Sequence, residues 1–103
     1  MAMDPLDRLD ATIRSRRDAD SGTSYVASLF AKGRPKIAQK VGEEATETVI
    51  AALAEPEKLA SEAADLVFHL LVLLADAGLS LDDIRAELAR REGVSGHVEK
   101  ASR

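Results

Sequence analysis

Apolar residues recur every three or four positions along most of the chain, a spacing typical of amphipathic helices. Leu6, Leu9 and Ile13 follow it and predict a first helix over residues 5–18. The segment DADSGTS predicts a loop, and SYVASLFAK predicts a short helix that stops at Gly33. No segment alternates apolar and polar residues as a half-buried strand would, so the pattern predicts an all-α fold.

Two long helices are predicted in the middle of the chain. Pro35 suits the first turn of a helix with the sequence KIAQKVGEEATETVIAALA, which ends near Pro56. A second long helix runs from there to Gly78. Because the connection is short, the two helices should lie antiparallel as a hairpin.

A last helix and a tail complete the chain. Ser80 and Asp83 form a capping-box-like start for a helix that ends near Gly93. We therefore expect about five helices in a single domain over residues 1–92. Residues 93–103 lack helical periodicity and are expected to form a loose tail.

The second long helix contains LVFHLLVLLA, which is apolar on nearly every side. The run falls far short of the roughly 20 residues that span a bilayer. A helix that is apolar all round is buried all round, and a chain of 103 residues has few other helices to cover it. We therefore expect a bundle completed by a second copy, most simply a two-fold homodimer. A helix buried inside one compact monomer is the alternative.

The composition limits the kinds of core and functional site that the chain can form. Hydrophobic residues make up 46% of the chain but aromatic residues only 3%, so Leu, Val, Ile and Ala must form the core. The chain has no cysteine, which excludes a disulfide framework, a thiolate zinc site and a cysteine nucleophile. The net charge of −4 argues against a broad nucleic-acid surface. The start MAMDPLDRLD has no apolar run after a basic segment and does not resemble a signal peptide.

Acidic residues lie on the inward faces of both long helices. Glu44 falls on the apolar stripe of the first, and Glu47 lies at the margin of that stripe. Glu62 and Asp65, three residues apart, share one face of the second helix with leucines and His69. The two acid pairs should therefore face each other across the groove between the helices.

A divalent cation would explain why these acids cluster. Buried carboxylates without compensation are costly, and hard oxygen ligands without cysteine favour Mg²⁺ or Mn²⁺. One alternative is an ordinary solvated face, with Lys40 paired to Glu44. Another is a di-iron site, but that requires a Glu-x-x-His motif from each of two helices, and neither long helix has one. His69 is either a packed core residue with one hydrogen bond or a supporting residue behind the metal ligands.

Basic residues cluster at the start of the first long helix. Lys32, Arg34, Lys36 and Lys40 lie within nine residues, where the helix N-terminus also attracts anions. Lys36 and Lys40 fall nearly in line with Glu47, so a phosphate chain could run from the lysines toward the metal, with Arg34 beside them. The alternative is that these lysines serve only solubility.

Two segments together resemble the phosphoribosyl-ATP pyrophosphatase family. They are KIAQKVGEEATE over residues 36–47 and EAADLVFHLLVLL over residues 62–74. The broader superfamily, the all-α nucleoside triphosphate pyrophosphohydrolases, is marked by E-E-x-x-E and a later E-x-x-D. The flanking lysines, SYVASLF and the HLLVLL run make the narrower resemblance specific, over roughly residues 5–92.

The resemblance implies a reaction and a site. Water would cleave the α–β phosphate bond of phosphoribosyl-ATP, giving phosphoribosyl-AMP and pyrophosphate in the second step of histidine biosynthesis. The enzyme would be cytoplasmic, Mg²⁺-dependent, dimeric and not fused to the next enzyme of the pathway. The implied metal ligands are Glu44, Glu47, Glu62 and Asp65, and Lys36 and Lys40 would hold phosphate charge. Arg34 lies in Gly33-Arg34-Pro35, a segment that departs from the family pattern, and would add to the phosphate site.

Glu43 is the extra acid of the motif. It would order the attacking water, act as a base through it, or serve only as an outer ion-pair partner. Two other functions remain as alternatives. One is a house-cleaning pyrophosphohydrolase of the same superfamily that acts on deoxynucleotides or damaged nucleotides. The other is a helical dimerisation module without chemistry.

Overall fold

Five α-helices form the part of the chain that the computed structural model describes, residues 3–22, 24–94, 96 and 100. They are α1 (Pro5–Ser15), α2 (Tyr25–Lys32), α3 (Arg34–Ala54), α4 (Leu59–Asp76) and α5 (Leu81–Arg90), with a 3₁₀ turn at Pro56–Lys58. No strand occurs among these residues, which confirms the all-α class. Most of the predicted tail (95, 97–99 and 101–103) lies outside the described residues.

Side-chain caps fix several helix boundaries. Asp4 begins α1, because its Oδ1 accepts the N–H of Leu6 at 2.7 Å. The capping interaction predicted for α5 is present: the N–H of Ser80 donates to Asp83 Oδ2 at 2.8 Å. The end of the first helix is corrected, since α1 stops at Ser15 and the chain continues in turns.

A single glycine joins α2 to α3. Gly33 has φ 92°, in the left-handed region that favours glycine. It is both the C-cap of α2 and the N-cap of α3. Since no longer loop intervenes, the short helix folds directly onto the first half of α3.

The two long helices form the predicted antiparallel hairpin. Thr48 Oγ1 on α3 donates to the carbonyl oxygen of Glu44 at 2.8 Å and lies 3.2 Å from the carbonyl oxygen of Glu62 on α4. Position 48 therefore lies opposite position 62. In this register, Glu47 is level with Ala63 and Glu44 with Leu66, in the first two turns of α4.

The core forms where α1, α2 and α3 pack against α4. Its fully buried side chains are Ile13, Leu29, Ile37, Leu71 and Val72. Much of the apolar run of α4 is nevertheless only half-buried, because one chain covers it incompletely. Within the described residues no single helix is long and apolar enough to cross a membrane; the pair Pro56–Asp76 and Leu81–Arg90 meets those criteria only when joined across a 98° bend.

A buried aspartate holds α5 against α1. Asp10 is 5% exposed; its Oδ1 accepts the N–H of Leu81 at 3.3 Å, and its Oδ2 accepts from Arg14 Nε at 3.2 Å. We expect Asp10→Ala to lower the free energy of unfolding by about 1–3 kcal/mol, because the first N–H of α5 loses its partner. Urea denaturation measures the change. The control is Asp82→Ala, whose ion pair with Arg85 is exposed; an equal loss in both variants would contradict the role of Asp10.

Candidate active site

Three glutamates converge at the hairpin. Carboxylate oxygens of Glu44, Glu47 and Glu62 all lie within 4.8 Å of one another. Glu44 and Glu47 come from successive turns of α3, and Glu62 comes from the first turn of α4. Glu44 is 7% exposed, Glu62 is half-buried and Glu47 is exposed, so the cluster opens to solvent on one side.

The cluster has the unsatisfied acceptors that a cation would require. The Oε2 atoms of Glu44 and Glu62 are buried, and neither has a hydrogen-bond partner in the described part of the chain. Burial, followed by the charges of Glu47 and Asp65, raises the pKa of the Glu62 carboxyl above its ordinary value. Three converging carboxylates without cysteine suit a hard divalent cation such as Mg²⁺, so these residues fit the predicted metal.

Asp65 lies next to this cluster but outside the group of three. Its side chain is exposed and lies one turn beyond Glu62 on α4, close enough for its charge to contribute to the raised pKa of Glu62. Its backbone carbonyl oxygen lies 2.8 Å from His69 Nδ1. The structure therefore brings together three of the four predicted ligands and places the fourth at their edge.

His69 is a buried residue with both ring nitrogens bonded. A carbonyl oxygen only accepts, so Nδ1 carries the proton that it donates to Asp65. In the neutral ring, Nε2 then accepts from the hydroxyl of Tyr25 at 3.0 Å. His69 is therefore packed and hydrogen-bonded, and it also touches the backbone of a predicted ligand, so the structure contains elements of both predicted roles.

Glu43 lies outside the group of three glutamates. Its Oε1 accepts from Gln39 Nε2 at 3.0 Å, and its Oε2 lies 3.6 Å from Lys40 Nζ. The Gln39 hydrogen bond, then the charges of Lys40 and Lys36, lower the pKa of the Glu43 carboxyl despite some desolvation. A carboxylate with a lowered pKa is a weaker base, so this geometry favours the outer ion-pair role.

Lys40 links the acids to a basic cavity. Its Nζ also lies 3.7 Å from Glu44 Oε1. Partial burial opposes its charge, but Tyr25, Glu43 and Glu44 outweigh that effect and raise the pKa of the Lys40 ammonium. Lys40 also lines a cavity of about 570 Å³ with Leu29, Lys32, Lys36 and Gln39, within the range of small-molecule sites.

The structure places Arg34 elsewhere. Its Nε donates to Asp76 Oδ2 at 2.8 Å, and its Nη2 donates to the Asp76 carbonyl oxygen at 3.0 Å. Arg34 thus binds the C-terminal end of α4 and does not line the lysine cavity.

Sequence reasoning missed two residues at this site. Gln39 lines the cavity and bonds Glu43, and Tyr25 bonds His69. One signal could have indicated Tyr25: it lies seven residues before Lys32, on the same face of α2 two turns away.

The fold is all-α, with acids on a long helical hairpin beside a lysine-lined cavity, an arrangement that fits the pyrophosphohydrolase class expected from the sequence. The family profile described as "Phosphoribosyl-ATP pyrophosphohydrolase" matches residues 6–92. The chain therefore belongs to the phosphoribosyl-ATP pyrophosphohydrolase family. This confirms the resemblance seen in the sequence. It also confirms the expectation that the chain is an enzyme, a hydrolase, and rules against a helical dimerisation module without chemistry.

Curated relatives from several bacteria agree with this assignment. A protein of Rhizorhabdus wittichii named phosphoribosyl-ATP pyrophosphatase is 65% identical over 99 residues, which covers 95% of this chain and 93% of the relative. A protein of the same name from Erythrobacter litoralis is 65% identical over 102 residues, with 98% of each chain covered. A third protein of this name, from Zymomonas mobilis, is 60% identical, and the alignment covers 100% of this chain and 97% of the relative.

Proposed function

We propose that this chain hydrolyses phosphoribosyl-ATP to phosphoribosyl-AMP and pyrophosphate in histidine biosynthesis, with Mg²⁺ as cofactor. The observation that carries the proposal is the cluster of Glu44, Glu47 and Glu62, with two buried oxygens unsatisfied, beside a lysine-lined cavity. Membership of the family and the names of the relatives support the choice of substrate.

The three glutamates would hold the cation, with Asp65 completing the set from the edge of the cluster. When bound, Mg²⁺ would neutralise phosphate oxygens and make water a better nucleophile. The half-open cluster leaves a side from which phosphate and water can enter. Because the chain has no cysteine and no serine with a histidine base at motif spacing, direct attack by water is the simpler route.

The lysines would stabilise charge on the departing pyrophosphate. Lys36 Nζ lies 3.5 Å from Gln39 Oε1, and Lys40 is shared between two carboxylates, so both ammonium groups are already oriented at the cavity. Preoriented cations that meet the charge developing in the transition state are an effective source of catalysis. Glu43 would orient Lys40 from outside the cluster.

Pyrophosphate release tests the reaction. The purified protein is incubated with phosphoribosyl-ATP or with a panel of ordinary and deoxynucleoside triphosphates, each with Mg²⁺ and with EDTA. We expect release from phosphoribosyl-ATP and its loss in EDTA. Hydrolysis of a deoxynucleotide in place of phosphoribosyl-ATP would contradict the proposed substrate, and release that persists in EDTA would contradict the metal.

We also propose a cytoplasmic homodimer that binds neither nucleic acid nor a membrane. Val49, Ile50 and Leu53 on α3 form an apolar patch and are 58%, 55% and 83% exposed. Val49 and Leu53 lie roughly 160° and 120° around the helix from Glu47, while Ile50 lies about 60° from it. A second copy centred on Val49 and Leu53 could therefore leave the acids uncovered. The half-buried apolar side chains of α4 also support a second copy.

Thermal unfolding tests the metal separately from turnover. The raised pKa of Glu62 means that ionising this carboxyl costs more in the folded protein than in the unfolded chain. At neutral pH without metal, Glu62→Gln should therefore raise the melting temperature. Mg²⁺ should raise the melting temperature of the unmodified protein but not that of Glu62→Gln, because ligand binding stabilises only a folded state that binds it. Equal shifts in both proteins would contradict a site at Glu62.

A further inference from the structure

One aromatic ring at the edge of the site is exposed. The chain has one tyrosine, two phenylalanines and no tryptophan, and all three rings lie in the described part. Phe30 and Phe68 are half-buried, whereas Tyr25 is 51% exposed. Among the aromatic rings of the described residues, Tyr25 therefore offers the largest exposed fraction, and it lies near the candidate active site.

The ring of Tyr25 is exposed and yet held in place. Its hydroxyl donates to His69 Nε2 at 3.0 Å, and the other nitrogen of that histidine is tied to the backbone of α4. The ring also stacks on Phe68, with centroids 6.1 Å apart and an angle of 21° between the planes. Because both the hydroxyl and the ring have partners, a ligand that meets Tyr25 meets a surface that is already ordered.

Along the axis of α3, the ring of Tyr25 is level with the stretch between the lysine cavity and the acids. Position 48 lies opposite position 62, so His69, seven residues beyond Glu62, lies level with Val41. Tyr25, which is bonded to His69, is therefore level with the turn of α3 that connects Lys40 to Glu44. On its own helix, Leu29 lines the cavity one turn later and Lys32 about 10 Å further along from Tyr25.

We propose that the exposed ring of Tyr25 is the surface on which the adenine base of the substrate stacks. The inference deepens the proposed function and rests on it. Aromatic side chains bind bases through their π faces, and this ring is level with the turn of α3 that separates the lysine cavity from the acids.

Steady-state kinetics separate base stacking from support of the site. Tyr25→Leu removes the ring, and Tyr25→Phe keeps it but frees it from His69. Inorganic pyrophosphate, a product without a base, is the competitor. We expect Tyr25→Leu to raise KM for phosphoribosyl-ATP about 5- to 100-fold with a smaller effect on kcat, and Tyr25→Phe to lie between it and the unmodified enzyme. The inhibition constant of pyrophosphate should stay constant, as should all parameters in the control Leu88→Ala on α5.

Three results would overturn the inference: an unchanged KM in Tyr25→Leu, equal damage in the two tyrosine variants, or a parallel weakening of pyrophosphate binding. The last two would mean that the residue acts by holding His69 rather than by contacting the base.

Fluorescence gives a readout that does not depend on turnover. Tyr25 is the only tyrosine and there is no tryptophan, so the intrinsic emission comes from this one ring. The emission is measured with Mg²⁺ present and corrected for the light that AMP itself absorbs. AMP should then quench the emission, and pyrophosphate should not. Quenching by AMP in a protein that fails to hydrolyse phosphoribosyl-ATP would refute the proposed function but keep the stacking surface. Turnover without quenching by AMP would refute the stacking surface and keep the function.

Discussion

Glu44→Gln should abolish most of the pyrophosphate release while leaving the protein folded. Glu44 is the most buried of the three convergent glutamates, and its Oε2 has no hydrogen-bond partner among the described residues. Replacing the carboxylate by an amide of the same shape removes one negative charge from the cluster that would hold the cation. Since loss of even an outer partner of a metal ligand costs about 10–100-fold, loss of a ligand should lower kcat by at least about 100-fold.

The melting temperature of the metal-free protein should not fall together with the activity. Without metal, three carboxylates within 4.8 Å of one another repel, and the amide relieves part of this repulsion. The metal-free Glu44→Gln protein should therefore melt no lower than the unmodified one. Glu92→Gln, an exposed acid after α5, is the control and should change neither property. Full turnover by Glu44→Gln would show that the cluster is not the catalytic centre, and unfolding would show that Glu44 serves the fold.

Local features of the fold could be predicted from the sequence. The capping bond between Ser80 and Asp83 spans three residues, and the helical spacing that put Glu44 on an inward face spans only a few turns. These features depend on neighbours along the chain, so the pattern of residues determines them. The short link at Pro56–Lys58 then made an antiparallel hairpin the simplest arrangement.

The predictions that remained incomplete depend on contacts between distant residues. Arg34 bonds Asp76, 42 positions away, and Tyr25 bonds His69, 44 positions away; helical spacing carries no information about either pair. Asp65 shares a helix face with Glu62, yet residues three apart still differ by about 60° around the axis. The packing of α4 against α3 determines which of the two acids points into the cluster, and it selects Glu62.

Leu53→Arg, a substitution in the apolar patch on α3, should dissociate the proposed dimer. Leu53 is 83% exposed in the single chain, and Val49 and Ile50 beside it are more than half exposed. In a two-fold interface the same residue occurs on both subunits, so one substitution introduces two charges. Burying unpaired charges costs several kcal/mol, so dissociation should become at least about 100-fold more favourable.

Sedimentation equilibrium measures this change directly. The unmodified protein should sediment at twice its chain mass of 11.0 kDa, and Leu53→Arg at the chain mass. Leu88→Arg on α5 adds the same charge at a site that is 57% exposed but lies outside the apolar patch, so it should remain dimeric. Dissociation of Leu88→Arg alone would move the interface to α5. If the unmodified protein is monomeric, the chain folds with the half-buried apolar side chains of α4 uncovered by a second copy.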